Sequence, residues 1–265
     1  MQAGNHFAEN EYNIYKIPAN LSLMRVLVFS DVHANLTALE RILADAGECD
    51  AVWCLGDVVG YGPDPNECVE RIRHLPNLTC ILGNHDAAVL GLIEVEAFNQ
   101  EARRVIHWTQ QQLTEANLSF LKSLPDRLVM GDVTLVHGSP RQPVWEYLLD
   151  AQTARHNFDF FDTPFCFVGH THLPILFHLN EVEAYPVGGY LPPNQVVQLT
   201  PREIVNPGSV GQPRDRDPRA AFAIYDTETH CFEHRRVEYA VPLVQNRMRV
   251  AGLPTRHIER LSVGW

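Results

Sequence analysis

Short apolar runs alternate with helical patterns over the first third of the chain. The segments "RVLVFS" (25–30), "AVWCLG" (51–56) and "LTCILG" (78–83) are almost continuously apolar, which is typical of strands buried on both faces. Between them, "LTALERILADAG" (36–47) and "DPNECVERIRHL" (64–75) place apolar residues at helical spacing. This order predicts a β-α-β-α-β unit with a parallel sheet.

Two helix starts carry recognisable capping signals. Asp64 as N-cap, Pro65 at the first helical position and Glu67 together predict a capping box. Asn35 directly precedes the other helix, and we favour a cap for residues 36–46 over a catalytic role for this side chain.

The rest of the chain is helical in its middle and rich in strands towards its end. A helical region is predicted over residues 94–123, and "VPLVQNRMRVAGLP" (241–254) reads as an amphipathic helix that covers a sheet edge. Prolines and glycines between Asn180 and Asn206 predict a hairpin or surface excursion. The remaining strands are predicted at "RLVMGDVTLVHG", "FCFVGH", "PILFHLN", "QVVQLT", "AAFAIYD" and "CFEHRRVEY".

We find no internal repeat and no boundary between domains. Residues 24–265 are therefore expected to form one domain with two sheets. The first 23 residues are polar and non-periodic, and Met24 stands just before the first strand. They predict a peripheral N-terminal extension, with an arm docked on the domain as the alternative.

Composition and charge narrow the classes of partner. The chain is 45% hydrophobic and 20% charged, as expected for a globular protein. A net charge of -11 argues against long nucleic acid, whereas a small phosphorylated substrate remains possible at a site with its own cations. No segment is long enough to span a membrane, and the six cysteines lack CxxC spacing. These features predict a cytoplasmic protein in a reducing compartment, and they leave its oligomeric state open.

Polar side chains follow the apolar runs at five places. Individually each has an ordinary explanation: Asp31 or Asp57 as a cap or turn residue, Asn84 as a left-handed turn, His137 as a hydrogen-bonded polar residue. The carboxyl ends of parallel strands share one edge of a sheet, so five such coincidences together favour a metal centre. The residues concerned are Asp31, His33, Asp57, Asn84, His85, Asp86, His137, His170 and His172.

The donor types indicate which metals the centre would hold. Imidazole, carboxylate and amide oxygen without thiolate suit divalent Mn, Fe, Zn or Ni. The donors are too many for one tetrahedral ion, and they are enough for two ions that share a carboxylate.

At these residues the sequence resembles the calcineurin-like metallophosphoesterase superfamily. The motifs "DVH" (31–33), "GD" (56–57), "GNHD" (83–86), "VHG" (136–138) and "GHTH" (169–172) follow its order, over about residues 25–240. The resemblance is nearest to the small bacterial and archaeal phosphodiesterase branch. It implies a four-layer α/β/β/α sandwich of two mixed sheets, with a dinuclear site at one edge.

The resemblance also implies a role for each residue. Asp31, His33 and His172 would bind the first metal. Asn84, His137 and His170 would bind the second, and Asp57 would bridge them. His85, protonated and outside the metal ligands, would orient the phosphate or supply a proton to the leaving oxygen. Asp86 is a weak candidate for the partner that orients His85.

One departure from the family bears on the substrate. Serine/threonine phosphatases of this superfamily carry Asp and Arg three and four positions after the bridging Asp, and Gly60 and Tyr61 stand there in this chain. The missing pair favours a phosphodiester of a small molecule or nucleotide over a phosphomonoester. Arg141 and Arg214 are candidates for contact with phosphate, each with a structural role as the equal alternative.

The sequence thus predicts a metal-dependent phosphodiesterase. A phosphomonoesterase or protein phosphatase, a nuclease acting on a small oligonucleotide, and a non-catalytic scaffold with the same fold are the alternatives. The complete set of metal ligands and His85 argues against the scaffold.

Overall fold

The computed structural model describes residues 24–180, 182 and 185–265. The predicted N-terminal extension, residues 1–23, lies outside the described residues, so its peripheral position stays a prediction. Across the described part of the chain, no helix combines the length and apolar character needed to cross a membrane.

The described residues form two mixed sheets with helices on their outer faces. The strands are β1 (Arg25–Phe29), β2 (Ala51–Cys54), β3 (Leu78–Cys80), β4 (Arg127–Met130), β5 (Val133–Val136), β6 (Phe165–Phe167), β7 (Pro174–Asn180), β8 (Tyr185–Tyr190), β9 (Gln195–Gln198), β10 (Glu203–Pro207), β11 (Ala220–Asp226) and β12 (Cys231–Val237). The helices are α1 (Leu36–Asp45), α2 (Pro65–Arg73), α3 (Asn84–Val89), α4 (Gln100–Gln112), α5 (Glu115–Lys122), α6 (Ala151–Asn157), α7 (Val241–Val250) and α8 (Thr255–Arg260).

The sheets have the orders β3-β2-β1-β11-β12-β9 and β4-β5-β6-β10-β7-β8. Strands β1, β2 and β3 are parallel to one another, as are β5, β6 and β10, while the flanking pairs are antiparallel. The parallel strands form one side of the first sheet and the centre of the second, and each set directs its carboxyl ends towards a shared edge.

The core lies in three layers of apolar contact. Between the sheets, Trp53 of the first sheet packs on Phe167 of the second, with ring centroids 5.5 Å apart. Helices α1, α2, α4 and α5 cover the outer face of the first sheet. Helix α6 covers the outer face of the second. The four-layer α/β/β/α sandwich is therefore confirmed.

The structure confirms one of the two predicted helix caps and contradicts the other. Asn35 caps α1 by accepting a hydrogen bond from the Ala38 amide at 3.1 Å. The predicted capping box at Asp64 is wrong, because its carboxylate instead accepts from the Leu36 amide at 3.3 Å and pairs with Arg247 at 2.8 Å.

Two longer segments have different outcomes. The hairpin predicted between Asn180 and Asn206 is confirmed, since β8 pairs with β7, and the chain then passes to the other sheet, where β9 pairs with β12. Helix α7 packs on α4 and α8, through Val244, Met248, Val105 and Ile258, so its prediction as the cover of a sheet edge is wrong.

The apolar contact between the sheets should dominate stability. Phe232 on β12 is fully buried in this layer, and Phe232→Ala is expected to lower the free energy of unfolding by about 3–5 kcal/mol. Val129→Ala, at a residue that is 55% exposed, should change it by less than about 0.5 kcal/mol. Urea titration of both variants checks this, and equal losses would mean that the sheets do not pack as described.

Candidate metal centre

The seven predicted ligands converge at the strand ends of the two sheets. Three follow β1 and β2, three follow β5 and β6, and one opens α3. None is more than 3% exposed. They are Asp31, His33, Asp57, Asn84, His137, His170 and His172.

The backbone at the ends of these strands is unusual. Five of the seven residues have φ between 47° and 65°, the left-handed region that few residues other than Gly occupy, although Asn, Asp and His do so more often than the rest. Such strain persists only where the surroundings hold it, and it clusters at functional sites. Hydrogen bonds such as the Asp31 amide to the Gly56 carbonyl, 3.1 Å, fix these turns. The five are Asp31, His33, Asp57, His170 and His172.

The first donor group brings two imidazole nitrogens face to face. The Nε2 atoms of His33 and His172 lie 3.0 Å apart, and Oδ1 of Asp31 lies 3.3 Å from the second of them. Each imidazole donates its Nδ1–H to a carbonyl, of Val59 and Gln212 respectively. Burial lowers the pKa of both histidines well below the usual value, so they are neutral. Two lone pairs therefore point at each other, an arrangement that a cation between them stabilises.

The same group contains an unpaired carboxylate oxygen. Oδ1 of Asp31 is buried and has no hydrogen-bond partner. Burial raises the pKa of Asp31 to about 7. A buried acceptor without a donor is costly, so this oxygen also fits a metal ligand.

The second donor group surrounds His137. Its Nε2 lies 3.1 Å from Oδ1 of Asn84 and 3.4 Å from Oδ2 of Asp57, while Nδ1 donates to the Leu55 carbonyl at 2.7 Å. A proton or a metal ion must therefore stand between Nε2 and the two oxygens. Burial opposes the charged imidazole, but the Asp57 carboxylate raises the pKa of His137 to about 9. The place between Nε2 and the two oxygens therefore suits a cation.

His170 completes the second group through its other nitrogen. Its Nε2 donates to the Trp145 carbonyl at 3.0 Å, which leaves Nδ1 as the free ligand atom. Ligand atoms of Asp57, His137 and His170 all lie within 4.8 Å of one another.

Asp57 lies between the two groups. Its Oδ2 is 3.6 Å from Nε2 of His33 and 3.4 Å from Nε2 of His137. Its Oδ1 accepts the His85 amide at 2.8 Å. Burial would raise the pKa of Asp57, yet the surrounding histidines hold it below the ordinary value, so the carboxylate stays charged. A charged carboxylate shared by two donor sets fits the predicted bridging ligand.

His85 borders the same space. One of its ring nitrogens lies within 4.8 Å of ligand atoms of His33 and Asp57, and its Nδ1 is buried without a hydrogen-bond partner. A Cβ at Gly60 would lie 2.6 Å from that Nδ1, so glycine stands where a larger residue would touch the ring. Burial lowers the pKa of His85 to about 4, which favours the neutral imidazole in the absence of substrate.

Asp86 does not orient His85. His85 and Asp86 lie on α3 and not on a strand, and the Asp86 carboxylate accepts the amides of Val58, Val59 and Gly83 at 3.2, 3.0 and 3.1 Å. Asp86 thereby holds the loop after Asp57 against the start of α3.

Comparison with known families agrees with this geometry. A family model described as "Calcineurin-like phosphoesterase superfamily domain" matches residues 24–230. The chain belongs to the calcineurin-like phosphoesterase superfamily. Membership supports hydrolase activity, and the buried Asp and His groups are ones that could bind metal.

Two relatives match most of this chain, and a third matches less than half of it. A metallophosphoesterase from Sphaerobacter thermophilus is 47% identical and superposes with a TM-score of 0.85, covering 92% of this chain and 100% of its own. An uncharacterized protein of Methanocaldococcus jannaschii is 37% identical over 90% of this chain and 98% of its own. A symmetrical bis(5'-nucleosyl)-tetraphosphatase from Pectobacterium carotovorum is 28% identical over only 43% of this chain and 42% of its own length. The phosphodiesterase branch within the superfamily stays a prediction.

The two arginines predicted to contact phosphate lie in different surroundings. Arg141 forms a salt bridge with Glu146, so its charge is already neutralised. Arg214 lies over the Tyr61 ring, 5.9 Å from its centroid, and its Nε is buried without a partner. Arg214 is therefore the better placed of the two for an anionic substrate.

The sequence analysis did not predict that two tyrosine rings lie against the candidate metal ligands. The Tyr61 ring lies 4.7 Å from that of His33, and Tyr147 stacks on His170 with centroids 3.8 Å apart. The sequence feature that could have indicated Tyr147 is the aromatic segment "VWEYL" (144–148), which follows shortly after His137. For Tyr61 the sequence indicates only that the Arg of the phosphatase motif is absent.

Proposed function

We propose that this phosphoesterase hydrolyses a disubstituted phosphate of a small molecule or nucleotide, either a phosphodiester or an internal phosphoanhydride, with two divalent metal ions. One observation carries the proposal: two buried donor groups share the single carboxylate of Asp57. Metals bound there would activate water and polarise the phosphoryl oxygens.

The chain's own residues would fix the position of both ions. Asp31, His33 and His172 would hold the first, and the remaining ligands Asn84, His137 and His170 the second. Carbonyls that accept from the far nitrogen of each imidazole set its tautomer and orientation. The site is thus organised before substrate arrives.

His85 would act on the leaving oxygen. It is neutral at pH 7 in the free protein, because it is buried. The negative charge of an entering phosphate raises the pKa of a nearby imidazole, which favours protonation once the substrate is bound. His85 would then donate a proton as the bond to the leaving group breaks, a contribution of about 10²–10⁴-fold.

The residues beside His85 favour a disubstituted phosphate. Gly60 offers no carboxylate to the unpaired Nδ1 of His85, and the guanidinium nearest to Tyr61, that of Arg214 above its ring, would contact a neighbouring phosphate of the substrate. The partial relatives named as symmetrical bis(5'-nucleosyl)-tetraphosphatases support the extension to phosphoanhydrides.

Metal dependence and substrate preference test this function together. Protein stripped with chelator should lose hydrolysis of bis(p-nitrophenyl) phosphate, and Mn, Ni, Zn or Mg supplied singly should restore it, with Mn, Ni or Zn more effective than Mg. The rate on the diester should exceed that on p-nitrophenyl phosphate. Faster cleavage of the monoester would instead make the protein a phosphatase.

Ruling out a contaminating phosphatase requires variants. Asp57→Asn and His85→Ala, each shown to be folded by circular dichroism, should both be inactive in the same assay. Full activity in both would overturn the proposed function.

A further inference from the structure

Two arginine side chains meet beside the metal centre without an Asp or Glu partner among the described residues. Nη2 of Arg214 and Nη1 of Arg260 both donate to Oε1 of Gln212, at 3.1 and 3.2 Å. Nε of Arg260 donates to the main-chain oxygen of Trp265, whereas Nε of Arg214 has no partner. The nearby Arg219 and Arg236, by contrast, pair with Asp217 and Asp215.

Several polar atoms around this pair lack partners. Nε of Arg214 and Nε2 of Gln212 are buried and unbonded, and so are both ring nitrogens of His257 on α8. The three side chains lie around Tyr61, since the His257 ring is 4.6 Å from its ring and Arg214 lies above it. Unpaired buried donors gathered in one place fit an anion that is bound only in the complex.

The cluster adjoins the metal centre directly. The backbone carbonyl of Gln212 accepts from Nδ1 of His172, and its side chain receives both arginines. The positive charge of Arg214 also acts on Tyr147, the residue that stacks on His170, where it opposes the rise in the Tyr147 pKa that burial causes. Gln212 therefore connects both guanidinium groups to the first donor group, and Arg214 also lies near Tyr147 of the second.

The two positive charges lie close enough to affect each other. Burial, and then the charge of Arg214, lowers the pKa of Arg260 to about 10. Two like charges that share one amide oxygen disfavour the free state, and a phosphate between them would relieve this. The protein's overall charge of -11 contrasts with this local pair of positive charges.

We infer that Arg214 and Arg260 form a second anion subsite, which binds a phosphate next to the one that is hydrolysed. This inference rests on the proposed function and specifies its substrate class: a phosphoanhydride with at least two consecutive phosphates, such as a nucleoside polyphosphate. Arg214 lies inside the family match, whereas Arg260 and His257 lie beyond residue 230, where that match ends, so the C-terminal segment supplies one half of the subsite.

The test compares ligands that differ by one phosphate. Binding of adenosine 5'-(α,β-methylene)diphosphate and of AMP to the metal-loaded protein is measured by calorimetry, so no hydrolysis is required. The wild-type protein should bind the two-phosphate ligand at least about tenfold more tightly. Arg260→Gln should abolish this preference, and Arg260→Lys, which keeps the charge, should retain part of it.

Matched controls separate the subsite from a general effect on the fold. Arg256→Gln changes a 70% exposed arginine on the same helix and should keep the full preference. Equal affinities of the wild-type protein for both ligands, or a preference that survives in Arg260→Gln, would overturn the subsite. An inactive wild-type protein that still shows the preference would overturn the proposed hydrolysis and leave the subsite standing.

Discussion

Asp57→Asn should lower kcat/KM by at least about three orders of magnitude and reduce the bound metal to one ion or none per chain. The carboxylate lies 3.6 Å from Nε2 of His33 and 3.4 Å from Nε2 of His137, so it serves both donor groups. An amide of the same shape lacks the negative charge that offsets two cations. The measurement is kcat/KM together with metal content by mass spectrometry.

Asp132→Asn provides the matched control for this substitution. Asp132 is exposed and belongs to the turn between β4 and β5, so it lies at the opposite end of β5 from His137. It should keep wild-type activity and metal content. An Asp57→Asn protein that retains two ions and activity within tenfold of wild type would show that the carboxylate does not bridge.

Gly60→Ala should lower kcat by about 10²–10³-fold without removing the metals. The added Cβ would lie 2.6 Å from Nδ1 and 2.9 Å from Cγ of His85, so the ring must move. None of the seven ligands is altered, and metal content should stay at the wild-type value. The loss would then report on the position of His85 alone.

Gly91→Ala separates this contact from backbone strain. Gly60 and Gly91 both have positive φ, at 96° and 71°, but an added Cβ at Gly91 meets nothing within 4 Å. Both variants should lose about 1–2 kcal/mol of stability, because both place an L-residue in the left-handed region. Only Gly60→Ala should lose activity, and similar kcat values for the two would show that His85 does not act in the reaction.

The metal centre was predictable because its residues follow directly from strand ends. Apolar runs locate the parallel strands, and Asp31, His33, Asp57, His137 and His170 come within a few residues of those runs. The rule that such ends share an edge needs no knowledge of long-range contacts. The same simplicity explains why Asn35 was identified correctly as a cap, since its partner is only three residues away.

Features that depend on distant contacts could not be read in this way. Asp64 has every local sign of a capping residue, but Arg247, which is 183 positions later, takes its carboxylate. Asn84 and His85 follow an apolar run, yet the strand stops at Cys80 and a helix begins at Asn84. Arg260 reaches Gln212 only because α8 folds back on the metal centre, and no spacing in the sequence encodes that contact.

Gly60 and Tyr61 show what can be predicted from local sequence and what depends on distant contacts. The sequence revealed that the phosphatase Asp and Arg were absent, and the structure confirms that Nδ1 of His85 has no partner. The structure also shows Arg214 above the Tyr61 ring. A guanidinium from another segment of the chain therefore lies close to the position where the phosphatases carry their Arg. Absence at one position of the sequence therefore did not mean absence of positive charge from the site.

The most direct test of the metal centre is anomalous diffraction from crystals of the manganese-loaded protein. The account predicts two anomalous peaks, both within bonding distance of the Asp57 carboxylate, one beside His33 and His172 and the other beside His137 and His170. A single peak, or peaks away from Asp57, would contradict the shared-carboxylate centre and with it the proposed hydrolysis.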